Sequence, residues 1–267
     1  MSTHKPFLSD NAATVHPKLW DAMRAADAPD NPYDGDALSQ ALDDRFSEVF
    51  GRECAAIWIA TGTAANCLAL ATLAQPHGGV ICHEEAHIEV DEGGAPGFYL
   101  HGAKLMLAQG QSAKLTPADI APVLDPIRDD VHQVQAHAIS ITQASEYGCS
   151  YRSDELAALG ELAKARKLGL HMDGARFANA VAHLDCAPAD ISWRVGVDML
   201  SFGCVKNGGM SAEAMILVPD RAQRLRVSLG DFDIGNLELV RTNRAVSLKC
   251  FLSLFQTYYI LVPSQFA

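Results

Sequence analysis

The chain reads as an α/β protein built on a mostly parallel sheet with helices on both faces, and three observations carry that reading. From residue 55 onward, short apolar runs alternate with helix-length segments: AAIWIA then TAANCLALATLA, GGVICH then the segment around His87, AKLMLA then TPADIAPVL, AHAISIT then SDELAALGELAKARKLG, LGLHMD then ARFANAVAHL. That order is the pattern of parallel strands joined by helical crossovers. LGLHMD and VDMLSFG are apolar enough to be short strands buried within a sheet, and Gly-rich turn chemistry follows each at once. Polar groups stand where these runs end, Asp173 after LGLHM and Lys206 just after DMLSFG, and strand ends face the cleft of an open α/β sheet.

Individual elements follow from the same logic. The link from SFG to MILV is too short for a helical crossover, so that pair is expected to run antiparallel. SDELAALGELAKARKLG is the clearest helix, with Ser153 as N-cap, Asp154 and Glu155 in the first turn, Lys164, Arg166 and Lys167 near the last, and Gly169 at the stop. Its Leu156, Leu159 and Leu162 form an apolar face, which assigns it packing and nothing more.

Composition limits the function. At 267 residues, 49% hydrophobic and 20% charged, the chain has room for one large domain with a substantial core. A formal charge of −11 argues against a general nucleic-acid binder and leaves a small zwitterionic substrate open. Seven cysteines (54, 67, 82, 149, 186, 204, 250) lack CxxC spacing and several lie in apolar segments, which fits reduced, mostly buried thiols in a cytoplasmic protein. MSTHKPFLSDN has no apolar leader, and no run of about 18 apolar residues precedes the tail, so no membrane span is expected.

A lysine able to form a Schiff base and an aspartate able to keep a pyridinium nitrogen protonated are the minimum apparatus of pyridoxal phosphate (PLP) chemistry, and Asp173 and Lys206 suit those parts. Blander readings stand beside this one. Asp173 suits an N-cap for a helix starting near Arg176, and Lys206 suits a solvated position in a Gly-containing loop. Gly62 and Thr63 lie where AAIWIA turns into a helix, a place that offers amides to a phosphate or simply holds an ordinary N-cap at Thr61 or Thr63. The histidine in EEAHIEVDEGG does not form HExxH, so a zinc site is disfavoured and no metal ligands are assigned.

FLSDN (7–11), NPYDGD (31–36), ATGTAAN (60–66), EEAHIEVDEGGAP (84–96), ITQASEYG (141–148), HMDGARFANAV (171–181) and SFGCVKNGGMSAE (201–213) occur in this order. Together they resemble the PLP-dependent low-specificity L-threonine aldolases, in the β-eliminating-lyase branch of the aspartate-aminotransferase-like superfold. The resemblance spans about residues 7–220. It implies that Gly62 and Thr63 seat the cofactor phosphate and that His87 stacks on the pyridine ring, close enough to assist proton transfer. Glu92 either orients His87 or is a first-turn helix acid. Asp173 would pair with the ring nitrogen, Lys206 would hold the cofactor covalently, and Arg176 with Ser9 would bind the substrate carboxylate. Tyr33 and Asp34 would border the site near a subunit boundary of a homodimer or homotetramer, or else form a solvated Pro/Gly turn. One departure from the family is Val205, where threonine is usual, which removes a hydroxyl near the cofactor.

The reading divides the chain into a PLP-binding large domain over 1–220 and a divergent tail over 221–267, with the family's small C-terminal domain expected to be absent. The expected reaction is cleavage of L-threonine or L-allo-threonine to glycine and acetaldehyde. Two alternatives stay open: another β-hydroxy-amino-acid lyase or β-eliminating PLP enzyme, and a truncated chain that binds PLP weakly.

Overall fold

The computed structural model describes residues 9–210 and 212–217. Seven strands form one sheet: β1 (Ala55–Ile59), β2 (Gly79–His83), β3 (Lys104–Ala108), β4 (Ala136–Thr142), β5 (Gly169–Gly174), β6 (Met199–Gly203) and β7 (Glu213–Leu217). Their spatial order is β1-β7-β6-β5-β4-β2-β3. Pairs from β3 through β6 are parallel, and β7 runs antiparallel between β6 and β1. The short link after β6 therefore has the consequence expected of it.

The interior strands β2, β5, β6 and β7 are buried along their whole length, whereas β3 at one edge is partly exposed. Neighbouring residues on each strand serve opposite faces, as a two-residue repeat demands. Ile81, Ile139, Leu170, Met172, Leu200, Phe202 and Ile216 join one apolar cluster, while Val80, Ala138, Met199, Met215 and Leu217 join another.

Helices α1 (Pro17–Ala26), α2 (Ala37–Gln40) and α3 (Leu42–Phe50) precede the sheet, and α4 (Gly62–Leu73) follows β1. The His87 segment is two short helices, α5 (His87–Val90) and α6 (Ala95–Tyr99), ahead of α7 (Pro117–Leu124), α8 (Ser153–Arg166) and α9 (Phe177–Leu184). Apolar side chains of α3, α7, α8 and α9 fill the first cluster. Those of α4, with Ile88 of α5, fill the second. The sheet is thus covered on both faces. Because Met172 belongs to the first face, Asp173 and His171 project toward α4, and the same alternation puts Glu213 on that side beside Met215.

Two details of α8 differ from expectation. The N-cap is Arg152 instead of Ser153, since the Glu155 carboxylate accepts the Arg152 N–H at 2.8 Å and fixes that residue as the last extended one. Ser153 is freed to donate to the Asp190 carbonyl at 3.0 Å. At the other end Lys167 takes the left-handed conformation, φ 57°, and Gly169 already opens β5. The Leu168 N–H returns to the Ala163 carbonyl at 2.8 Å, so the turn closes before the glycine is reached.

Among the described residues no helix is long and apolar enough to cross a membrane. Four of the six described cysteines, Cys54, Cys67, Cys82 and Cys204, are buried, and burial pushes the Cys54 thiol up to about 11. The expectation for residues 221–267 lies outside the described residues.

Candidate active site

The carboxyl ends of β1, β5 and β6 bring most of the expected residues to one edge. β1 runs into Thr61, whose hydroxyl accepts the Ala64 N–H at 3.2 Å while its carbonyl accepts the Ala65 N–H at 3.0 Å. Thr61 is thus the cap of α4, and the first-turn donors with no intrahelical partner are the amides of Gly62 and Thr63. With Thr61 serving as the cap, the amides of Gly62 and Thr63 remain available to an anion.

Asp173 ends β5, buried between Thr142 of β4 and Ser201 of β6. Its Oδ1 accepts the Ala175 N–H at 2.9 Å and its Oδ2 accepts from Asn66 Nδ2 at 2.8 Å. The helix cap proper is Arg176, so Asp173 braces the turn before α9 without capping it. Asn66 Nδ2 also donates to Glu92 Oε1 at 2.9 Å, and the same oxygen meets His87 Nδ1 at 3.0 Å. A continuous chain, His87–Glu92–Asn66–Asp173, joins three segments far apart in sequence. Glu92 is buried and lies between α5 and α6, outside either first turn, where its carboxylate bonds His87. The hydrogen bond to Glu92 raises the His87 pKa above its ordinary value; Asp173 and Glu146 add to this, and burial opposes it.

Beneath Asp173 on the same face lies His171, fully buried between Ser140 Oγ (2.9 Å) and Ser201 Oγ (3.0 Å). Burial pushes its pKa down to about 4 against the pull of Asp173, so it is a neutral imidazole near pH 7 and not a second cation.

Lys206 rides on a 3₁₀ turn, Val205–Asn207, immediately after β6. Many bonds fix that turn. Asn207 Nδ2 donates to the Gly203 and Ala175 carbonyls at 2.8 and 3.0 Å, and Asn179 Nδ2 donates to the Lys206 carbonyl at 3.2 Å. Gly203 must be glycine here, because a Cβ would lie 2.5 Å from the Ala175 carbonyl oxygen. Gly208 closes the turn at φ +80°, which favours glycine.

Arg176 shows a partner the sequence reading missed. Its Nε and Nη2 donate to the two oxygens of Asp10, the second at 3.2 Å, in a fork-on-carboxylate arrangement. Burial alone would raise the Asp10 carboxyl, but the hydrogen bond and charge of Arg176 outweigh it and hold Asp10 below the usual range. Nη1 lies 3.6 Å from Glu146 Oε2 and makes no hydrogen bond among the described residues. Ser9, beside Asp10, accepts the Asn11 N–H at 3.2 Å and caps a 3₁₀ turn. Tyr33 is 76% exposed, on a turn with φ 58° at Tyr33 and 56° at Asp34, and no hydrogen bond among the described residues ties its hydroxyl to the site.

Asp10, Asn66 and Glu213 were not singled out from sequence. A lone Asn in an otherwise apolar helix, and an acid at the head of the apolar AMIL strand, were the available signals. Asn66 Oδ1, Glu92 Oε2 and Arg176 Nη1 are buried and carry no hydrogen bond among the described residues. Buried polar atoms in native folds rarely lack a partner. Their spare capacity, with the two helix-start amides and a strand-end lysine, fits a ligand that carries an anionic head and hydrogen-bonding groups around a ring.

The chain is similar to known proteins in sequence and in fold. The beta-eliminating lyase family is matched over residues 6–246. A low specificity L-threonine aldolase of Pseudomonas aeruginosa is 44% identical over 218 residues, covering 81% of this chain and 63% of that one. The counterpart from Escherichia coli K12 is 29% identical over 184 residues, 69% of this chain and 54% of its own. The chain thus spans roughly three fifths or less of the length of these curated relatives. Among solved structures, Leishmania major threonine aldolase superposes with a TM-score of 0.83 at 28% identity, over 95% of this chain and 72% of that one. The large-domain architecture is that of the aspartate-aminotransferase-like superfold, and the chain belongs to the beta-eliminating lyase family.

Proposed function

We propose that the protein is a PLP-dependent lyase that cleaves L-threonine and L-allo-threonine to glycine and acetaldehyde. The observation that carries this is the placement of Asp173 and Lys206 at the carboxyl ends of adjacent strands, with Asp173 buried and bonded through Asn66 to the Glu92–His87 pair. The names and identity of the threonine aldolases it matches support the same reading.

Bound PLP supplies an electron sink for the carbanion left when Cα–Cβ breaks. The chain's residues do the rest. Gly62 and Thr63 direct their amides, and the positive end of the 12-residue α4, at the phosphate. Asp173, fixed by Asn66 and the Ala175 amide, would be the partner that keeps a proton on the ring nitrogen. His87 would support the cofactor ring. With Nδ1 committed to Glu92, any proton it exchanges passes through Nε2. Lys206 would contribute the amine that holds the cofactor covalently. Arg176 would offer Nη1 to the substrate carboxylate with Ser9 beside it, and that grip would orient the amino acid for cleavage at Cα–Cβ. Tyr33 borders the cleft in a homo-oligomer, with its exposed ring at the neighbouring subunit. Cytoplasmic residence accords with the buried thiols.

The test adds PLP to the full chain and measures aldehyde and 2-oxobutanoate from L-threonine, L-allo-threonine and D-threonine. Aldehyde from both L-isomers alone is expected. 2-Oxobutanoate and ammonia as the main products, from loss of the β-hydroxyl as water, would move the assignment to a β-eliminating enzyme. Lys206→Ala is expected to lose the borohydride-reducible PLP adduct, and a persistent adduct would remove Lys206 from the role.

A further inference from the structure

The ITQASEYG segment that leaves β4 brings a second acid to Arg176. Glu146 Oε2 stands 3.6 Å from Nη1, an ion pair too long for a hydrogen bond, while Asp10 takes Nε and Nη2 in the fork. Nη1 itself is buried. The backbone around Glu146 is fixed. Ser145 Oγ donates to the Ser112 carbonyl at 2.8 Å, the Gly148 N–H returns to the Ser145 carbonyl at 2.8 Å, and the Tyr147 hydroxyl donates to the Glu85 carboxylate. The Glu146 side chain is 22% exposed, so it has solvent to turn into while its loop stays in place.

One guanidinium thus faces two carboxylates. A substrate carboxylate arriving at Nη1 would be a third, and like charges a few ångströms apart in a partly buried cleft repel. One of the two acids must then give way. Asp10 is held by two charge-assisted hydrogen bonds and Glu146 by none to Arg176, so Glu146 is the acid that yields. We propose that Glu146 is a displaceable counter-ion that sets the affinity of the carboxylate subsite: it covers Arg176 Nη1 and gives way, by rotation of its side chain toward solvent, when a monocarboxylate takes its place. The inference rests on Arg176 being the residue that binds the substrate carboxylate. Its consequence is a reversed sign. Removing Glu146 strengthens carboxylate binding, whereas removing a residue that merely holds Arg176 in place weakens it.

The test needs no turnover. In the full chain, Arg176 is modified with phenylglyoxal, followed by mass spectrometry of the peptide that carries it, and acetate is the probe that protects it. Glu146→Gln and Glu146→Ala should each lower the acetate concentration that gives half protection by about fivefold, the upper range for a partly exposed ion pair. Either variant alone decides the matter should the other not fold. With PLP added, KM for L-threonine should fall by a similar factor and kcat should change less. An unchanged half-protecting concentration in a folded variant overturns the displacement, and a higher one overturns it by assigning Glu146 to holding Arg176 in place. Acetate that protects neither wild type nor variant removes Arg176 as the carboxylate site and the proposal with it. Should the loaded chain form no aldehyde, the functional reading fails while the acetate result still reports on the Arg176–Glu146 pair.

Discussion

The two halves of the site are built differently. The half that would hold the ring is set into the sheet: Asp173, Asn66 and Glu92 are buried, tied to one another at 2.8 and 2.9 Å, and backed by the Ser140–His171–Ser201 ladder. The half that would hold the substrate is assembled from chain segments outside the sheet. Ser9 is exposed, Asp10 is partly so, and Tyr33 stands on an open turn. Arg176 is the hinge between them, anchored at the base of α9 and reaching to the N-terminal arm. A cofactor must stay in one orientation through every turnover, so its groups are locked by neighbours that exclude water. A substrate must come and go, so its groups sit where segments can yield.

The largest expected effect tests the locked half. Asp173→Asn should lower kcat by about 10³-fold, about 4 kcal/mol of lost transition-state stabilisation, while PLP remains bound. The neutral amide cannot keep the ring nitrogen protonated. Wild-type kcat with an unchanged cofactor spectrum would show that the buried chain around Asp173 is packing alone.

Glu213 belongs to the locked half and bears on stability. Burial, with Asp173 adding and the Cys204 amide and Lys206 opposing, pushes its carboxyl up to about 7 from an ordinary 4.5. The folded state then holds this proton more tightly than the unfolded one. Its contribution is fully present below pH 4.5 and is lost as pH rises through about 7, at most about 3 kcal/mol. Glu213→Gln removes that loss, so the difference in Tm between variant and wild type should grow in the variant's favour from pH 4.5 to 7. A difference flat with pH would mean that the carboxyl is not held neutral by its surroundings.

Legibility from sequence divides along the same line. Asp173 and Lys206 could be found because each ends an apolar run, a signal local to a few residues. The antiparallel β7 was legible from the length of a single link. Asn66 meets Asp173 across a gap of 107 residues and Glu92 across one of 26, and no local pattern encodes such a meeting. Asp10 was hidden for a related reason: its neighbour Ser9 drew the role, while the register of the arm against Arg176, 166 residues away, decides which side chain arrives. The α8 cap was misplaced by one residue because Glu155 reaches back to Arg152, a choice made by side-chain geometry and not by which residue type caps best.

In the yielding half, Arg176→Lys should raise KM for L-threonine by about tenfold with a smaller change in kcat, because a point charge cannot reproduce a fork already engaged by Asp10. An unchanged KM would place the substrate carboxylate elsewhere.

The smallest effect asks whether the locked half is one electrostatic unit. His87 is held above its ordinary pKa first by its hydrogen bond to Glu92, then by Asp173. Glu92→Gln keeps an acceptor for Asn66 Nδ2 and removes the charge facing the imidazole. The His87 titration midpoint, followed by NMR of its ring protons, should fall toward the ordinary 6.5. The sign in stability follows: a raised histidine contributes fully below 6.5 and loses that contribution as pH rises through its folded midpoint. The variant's deficit against wild type should therefore be largest in mild acid and shrink toward neutral and alkaline pH. Combining Glu92→Gln with Asp173→Asn makes the comparison sharper. If Asn66 joins the two carboxylates into one unit, their effects on the His87 midpoint will not add. Strict additivity would show that His87 and Asp173 answer to their own neighbours, and that the hydrogen-bonded chain between them fixes geometry without transmitting charge.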